Sequence, residues 1–209
     1  MGHNKDSIDT DGPRGAVPAY DEGAYIRASL DGTPSDIQKA VIFDDVRVSS
    51  DNLLGGAEND GWMNAMKAFD MSRPNIAAHA TGLARAAFEH ALQYADERET
   101  FGNKLHQHQA IQFMLVDMKT NIEAARLLVW KSAWLADNEL PNTEAAAHAK
   151  RFSADMATQA TIEAVQIFGG YGYTEEYPVA RLMRAAKVMQ IYEGTSEIQR
   201  LIIGREITR

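Results

Sequence analysis

The sequence predicts a mainly α protein: an antiparallel four-helix bundle preceded by a disordered or loosely packed N-terminal arm and an orphan β-strand. Three observations lead there. From Gly61 onward apolar residues recur at three- and four-residue steps, short breaks containing Gly, Pro or Asn separate the periodic runs, and residues 1–36 show no sustained period. Long amphipathic helices joined by short connections bury their stripes most simply as antiparallel neighbours, with the last helix as the fourth member.

In chain order, residues 1–36 are rich in Asp, Gly, Pro and Ser and read as a flexible arm. Residues 37–57 form a second region. Within it, residues 40–48 have the β-branched content of a strand, and Ser49-Ser50-Asp51-Asn52 ends it as a turn. A single strand leaves its backbone groups to water or to another chain. Residues 58–209 form the bundle. Trp62, Ala65, Met66 and Phe69 mark a short first helix, and Arg73-Pro74 reads as a restart, since proline is tolerated in a first turn. A longer helix is expected over 75–97, with Leu83, Ala87, Ala91 and Tyr94 on one face, and then a loop over 98–103. The next helix, 108–138, carries the stripe Ile111, Leu115, Met118, Ile122, Ala125 and Val129. Pro141-Asn142-Thr143-Glu144 is a stop followed by a cap, and a third long helix runs to Phe168 with Ala146, Ala149, Phe152, Met156, Ala160 and Val165 inward. Gly169-Gly170-Tyr171-Gly172-Tyr173 terminates it, Pro178 opens a short helix through Met189, and the last helix extends from Thr195 almost to Arg209.

Composition narrows the function. Of the 209 residues, 29 are acidic and 21 basic, and the net charge of -8 argues against a nucleic-acid surface. The absence of cysteine excludes disulfides, thiolate chemistry and Cys-based metal sites and agrees with a cytoplasmic setting. No apolar run reaches the length of a membrane span, and residues 1–7 lack the pattern of a signal peptide. The histidines have no ligand spacing such as His-Glu-x-x-His, and no serine lies in a nucleophile elbow, so neither a metal nor a serine triad is expected.

The stretch Gln190-Ile191-Tyr192-Glu193-Gly194-Thr195-Ser196-Glu197 places a carboxylate at a chain break just before a helix. Thr195 or Ser196 can cap that helix, and the free amides there suit a polar cofactor group. Read locally, the same pattern also describes a capped surface helix with a solvated Glu in front of it.

Six stretches in order resemble the C-terminal part of the acyl-CoA dehydrogenases. They are Phe43-Asp44-Asp45-Val46-Arg47-Val48, Phe69-Asp70-Met71-Ser72-Arg73-Pro74, Arg98-Glu99-Thr100-Phe101-Gly102, His108-Gln109-Ala110-Ile111, Gln166-Ile167-Phe168-Gly169-Gly170-Tyr171-Gly172-Tyr173 and Ile191-Tyr192-Glu193-Gly194-Thr195-Ser196. The resemblance implies that the bundle is that family's C-terminal domain and that the strand is the last piece of its middle β-domain. It implies FAD as cofactor, an acyl-CoA substrate and Glu193 as the base that removes the α-proton. Phe69, Asp70, Arg73, Tyr192 and Gly194 fall at substrate-side positions. Arg98, Phe101, Gln109, Gln166, Gly169 and Gly170 match positions that hold FAD in a neighbouring subunit, and Thr195 and Glu197 match contacts to the FAD of their own. Some relatives carry the base near residue 72, which is serine here.

The family also has an N-terminal helical domain and a full β-domain ahead of this stretch, and residues 1–40 resemble neither. The expectation is therefore a dehydrogenase chain or subunit that takes the missing domains from a partner, as a homo-oligomer or with a fuller subunit, and passes electrons to an acceptor flavoprotein. The alternative is a non-catalytic helical assembly module or a truncated remnant.

Overall fold

A computed structural model describes residues 16–18, 25–27, 46–53 and 60–209. The chain divides into two compact units, Met1–Ala65 and Met66–Arg209. In the first, β1 (Ala16–Pro18) and β2 (Tyr25–Arg27) pair antiparallel, with Val17 opposite Ile26. This hairpin falls in the stretch that composition alone reads as an arm. Of the strand expected over 40–48, residues 46–48 carry no regular structure, and residues 40–45 lie outside the described residues. The turn after it is present as a 3-10 turn at Ser50–Asn52, with Ser49 Oγ accepting from the Asp51 amide at 3.3 Å.

The first long element is α1 (Asp60–Glu97), one continuous helix of 38 residues with Pro74 inside it. The expected restart at Arg73-Pro74 does not occur. A proline has no N–H for the carbonyl four residues back, and its ring crowds that carbonyl. Here the carbonyl belongs to Asp70, and it accepts from Asn142 Nδ2 at 3.1 Å instead. Asn142 Oδ1 in turn accepts from Ser132 Oγ at 2.8 Å, and Thr143 Oγ1 donates to Asp70 Oδ2 at 2.6 Å. Asn142 and Ser132 are both buried, so this satisfaction happens away from solvent, where an unmet group is costly. Asn142 also corrects the expected cap. It sits just before the third long helix, but its side chain does not cap that helix, because it is committed to Asp70 and Ser132.

Where a loop was expected after α1, β3 (Glu99–Thr100) and β4 (Asn103–Lys104) form a tight antiparallel hairpin. Its central residues, Phe101 and Gly102, have φ of 53° and 78°, the two positive values that an I′ turn requires. The remaining helices are α2 (Gln109–Asp137), α3 (Thr143–Phe168), α4 (Val179–Met189) and α5 (Ser196–Ile207). All four begin and end within two residues of where the periodicity places them.

The centre is α3, which packs against α2, α4 and α5. It is tied to α1 by the buried hydroxyls of Thr81 and Ser153, 3.4 Å apart. Small residues make this possible. Ala80, Ala84, Ala87, Ala91 and Ala95 line the buried face of α1, while Ala154, Ala157, Ala160 and Ala164 line α3, so helix axes can approach closely. Leu115, Met118, Ile122 and Ala125 of α2 complete the core, as their spacing predicts.

Asn142→Ala should lower stability by about 2 to 4 kcal/mol, because it leaves the Asp70 carbonyl without its donor and the Ser132 hydroxyl without its acceptor. Pro74→Ala in that background should recover part of the loss, since residue 74 then offers its own amide to Asp70. Denaturant unfolding of the four proteins measures the coupling, and strictly additive effects would remove this account of how α1 stays whole.

Candidate functional site

Between α4 and α5 the backbone turns through two left-handed residues, Glu193 (φ 56°) and Gly194 (φ 85°). A left-handed glutamate is disfavoured by roughly 1 to 2 kcal/mol and persists only where its surroundings fix it. Gly194 is required twice over, by its φ and because a Cβ there would lie 2.8 Å from Gln199 Nε2. That amide nitrogen donates to the Glu193 carbonyl at 3.2 Å and to the Gly194 carbonyl at 3.0 Å. Lys150 Nζ of α3 donates to the same Gly194 carbonyl at 2.7 Å. Lys150 and Gln199 are both fully buried, although neither residue type usually is.

The Glu193 carboxylate faces α1. Ser72 Oγ donates to its Oε2 at 2.6 Å, a short, charge-assisted bond. One residue on, Arg73 is buried, with Nη1 on Asp70 Oδ1 at 2.8 Å and its guanidinium 5.4 Å from the Phe69 ring centre. Burial pulls the Arg73 pKa down, and the charges of Asp70 and Glu193 pull it back up. Arg73 Nε is buried without a partner, as is Gln199 Oε1. Tyr192 is half-buried with Oη 2.9 Å from Met189 Sδ, and burial, followed by the Glu193 charge, raises its pKa.

The start of α5 is built as expected, with Thr195 as the cap: its Oγ1 accepts from the Ile198 amide at 3.3 Å. The Glu197 pKa is lowered by its own backbone amide and by the Thr195 hydroxyl. Asp155 of α3 fixes this end of the helix, taking Ser196 Oγ and Gln190 Nε2 on Oδ1, both at 2.8 Å, and Arg200 Nη2 on Oδ2 at 3.3 Å.

A second feature is an open cleft of about 530 Å³ between the end of α1 and the end of α3, lined by Tyr94, Arg98, Thr100, Phe168, Gly169 and Gly170 among others. Its wall is aromatic: Tyr94 stacks on Phe168 at 4.1 Å, and the Arg98 guanidinium lies 5.9 Å from the Tyr171 ring centre. Gly169 (φ 62°) and Gly170 have open space where a Cβ would be, so backbone alone meets whatever enters.

The structure thus gathers Phe69, Asp70, Arg73, Tyr192, Gly194, Thr195 and Glu197 on the elements around Glu193, and brings Arg98 together with Gly169 and Gly170. Phe101, Gln109 and Gln166 are exposed and do not line the cleft; Phe101 is 97% exposed at the hairpin tip. Sequence reasoning missed Ser72 as a donor, placed Asn142 only in a helix cap, and missed Lys150, Gln199 and Asp155 as site residues. For Lys150 a signal was present, because it falls on the inward face marked by Ala146, Ser153, Ala157, Ala160 and Ala164.

The chain belongs to the acyl-CoA dehydrogenase family: residues 59–208 match the family model described as acyl-CoA dehydrogenase, C-terminal domain. It is 51% identical over 166 residues to cyclohexane-1-carbonyl-CoA dehydrogenase of Geobacter metallireducens, covering 79% of this chain and 43% of that one. The solved structure of butyryl-CoA dehydrogenase from Megasphaera elsdenii superposes with a TM-score of 0.78 at 50% identity, over 81% of this chain and 44% of that one. A chain from the structural work on the electron transferring flavoprotein of Acidaminococcus fermentans matches at a TM-score of 0.78 and 48% identity, over 81% of this chain and 44% of that one. The chain spans about half the length of the curated relatives it matches. Among the described residues, no helix is long and apolar enough to cross a membrane.

Burial lowers the Lys150 pKa to about 8, opposed by the charges of Asp155, Glu193 and Glu197 and aided by that of Arg73. The unfolded chain keeps that proton up to about pH 10.4. Between pH 8 and 10.4 the unfolded state therefore binds more protons, and stability contributed at this site rises with pH. The stability of the parent relative to Lys150→Met should climb across this window in denaturant unfolding. A flat difference would mean that the buried lysine does not titrate there.

Proposed function

We propose that this chain is the base-bearing helical part of an acyl-CoA dehydrogenase, with Glu193 taking the α-proton of an acyl-CoA thioester. The observation that carries the reading is the held carboxylate: Glu193 sits in a left-handed turn, with one oxygen bound by Ser72 at 2.6 Å and Arg73 close enough for their charges to interact. A general base must be positioned before its basicity matters, and here both backbone and side chain are fixed. Ser72 occupies the position at which some relatives carry the base. In this chain it serves the base instead.

The residues present fit FAD. Arg98 offers a planar cation for a pyrophosphate, Gly169 and Gly170 offer backbone without side chains, and the aromatic wall suits a nucleotide. Phe101, Gln109 and Gln166 stand exposed, so they are free to meet the cofactor of a neighbouring subunit, while Thr195 and Glu197 would serve the cofactor of their own. The chemistry that bound FAD supplies is acceptance of a hydride from the β carbon. Loss of the α-proton to Glu193 then leaves a double bond between the α and β carbons. The Glu193 amide donates to the thioester carbonyl and stabilises the negative charge that develops there. Phe69, Asp70, Arg73, Tyr192 and Gly194 line the substrate side.

This reading carries with it an oligomer, either of this chain or with another subunit of the family, an electron-accepting flavoprotein as redox partner, and a cytoplasmic setting. Likeness to the dehydrogenase relatives and to the chain from the electron transferring flavoprotein work supports it. The alternative reading is a non-catalytic helical assembly module.

Glu193→Gln should lower kcat by roughly 10² to 10⁴-fold wherever this chain supports acyl-CoA dehydrogenation, with flavin content unchanged. The assay follows reduction of an artificial acceptor with short, medium and long acyl-CoAs, in the presence of FAD and of chains carrying the family's other domains. A mutant at the parental rate moves the base elsewhere, and no turnover in any combination favours the assembly module.

A further inference from the structure

We propose that Lys150 is a positioning residue for Glu193: its bond to the Gly194 carbonyl holds the left-handed turn that aims the carboxylate and the Glu193 amide. The inference rests on the reading of Glu193 as the base. Lys150 lies on α3, 44 residues before the Gly194 carbonyl it touches, and is fully buried with Nζ 2.7 Å from the Gly194 oxygen. Gln199, also fully buried, reaches the same oxygen from α5 at 3.0 Å and the Glu193 oxygen at 3.2 Å. The two carbonyls of the left-handed pair are thus held from two different helices. With their directions fixed, the peptide planes on either side of Gly194 cannot flip, and the Glu193 side chain leaves the turn toward Ser72.

Stability alone is a poor reason for a cation at this place. A methionine or leucine would fill the space on the inward face of α3 without the cost of burying charge, and such replacements are often neutral or stabilising. An ammonium does two things that they cannot do. It donates to the Gly194 carbonyl, and it adds a second cation beside Arg73 in the surroundings of Glu193, whose charge acts on both. The other charged groups facing it are Asp155 on its own helix and Glu197 on α5; Asp155 already holds Ser196 and Gln190. Removing the lysine does not orphan the Gly194 carbonyl, because Gln199 still donates to it. The fold can therefore survive the loss while the turn loosens.

The test is Lys150→Met, with Lys150→Leu as a second variant and Glu193→Gln alongside. In the chain by itself, amide hydrogen exchange should show protection of the Ser196 amide, which donates to the Gln190 carbonyl at 3.0 Å, reduced at least about tenfold, with α2 unchanged. In the assembled enzyme, kcat should fall about 10 to 10²-fold, the range for a small misplacement of a reacting group, with KM within about twofold. A purely structural lysine would lower thermal stability and spread its exchange losses through α3 and α5. Parental exchange at the turn, a kcat within twofold of parent while Glu193→Gln is inactive, or failure of both Lys150 variants to fold would each overturn the positioning role. Parental activity in Glu193→Gln would instead overturn the assignment of the base.

Discussion

Pro74 cannot supply the amide that the Asp70 carbonyl needs, and the way that deficit is met ties α2 and α3 to one turn of α1. Asn142, between α2 and α3, donates to the freed carbonyl, and Ser132 of α2 fixes the asparagine from behind. Thr143 adds a bond to the Asp70 carboxylate, whose other oxygen holds Arg73. The same turn carries Ser72 and, through it, the Glu193 carboxylate. The proline therefore does more than survive inside α1. By taking away an internal helix bond, it makes the position of residues 69–73 depend on the α2–α3 connection, so this turn of α1 is set by the bundle as a whole.

The opposite wall of the site answers a second local cost. Glu193 in the left-handed region gives up roughly 1 to 2 kcal/mol of backbone preference. Neutral hydrogen bonds in proteins contribute about 1 kcal/mol each, and bonds to charged groups about 1.5 to 3. Two bonds from Gln199, one from the Lys150 ammonium and one from Ser72 to the carboxylate are enough to offset the strain. They are not enough to explain two fully buried polar side chains by stability alone. Holding a carboxylate in an otherwise disfavoured place is what those side chains achieve, and under the proposed function a base whose geometry is set in advance loses less on the way to the transition state.

What could be read in the sequence was what periodicity and short motifs encode. The stripe of α2, the limits of α3 to α5 and the Thr195 cap follow from spacing, because each is decided within one or two turns. Pro74 misleads for the same reason: its local meaning is a helix start, and the asparagine that overrides it lies 68 residues downstream. The hairpin at Phe101-Gly102 was invisible because a bulky residue at positive φ contradicts turn statistics. Lys150 and Gln199 carry their partners across tertiary contacts that no window contains. Yet a lysine among the inward alanines of α3 was itself a departure from pattern, and such departures are where function tends to sit.

Phe101 extends the argument to the other end of the molecule. It is 97% exposed, on a left-handed backbone, at the tip of a two-residue turn. Among the described residues it makes one edge-on aromatic contact, with His108 at 6.4 Å. A large aromatic side chain in solvent forgoes the stabilisation that burial would bring, about 25 cal/mol for each Å² of apolar surface, while the backbone beneath it is strained. Neither cost is recovered by α1 or α2. Both are recovered if the hairpin closes over a bound group or a neighbouring chain, which is where the proposed function puts it. The strained Glu193 is stabilised from within the bundle and the strained Phe101 is not. On the proposed function, the end that carries Glu193 is held by this chain's own helices, and the end that carries Phe101 is left for an assembly to complete.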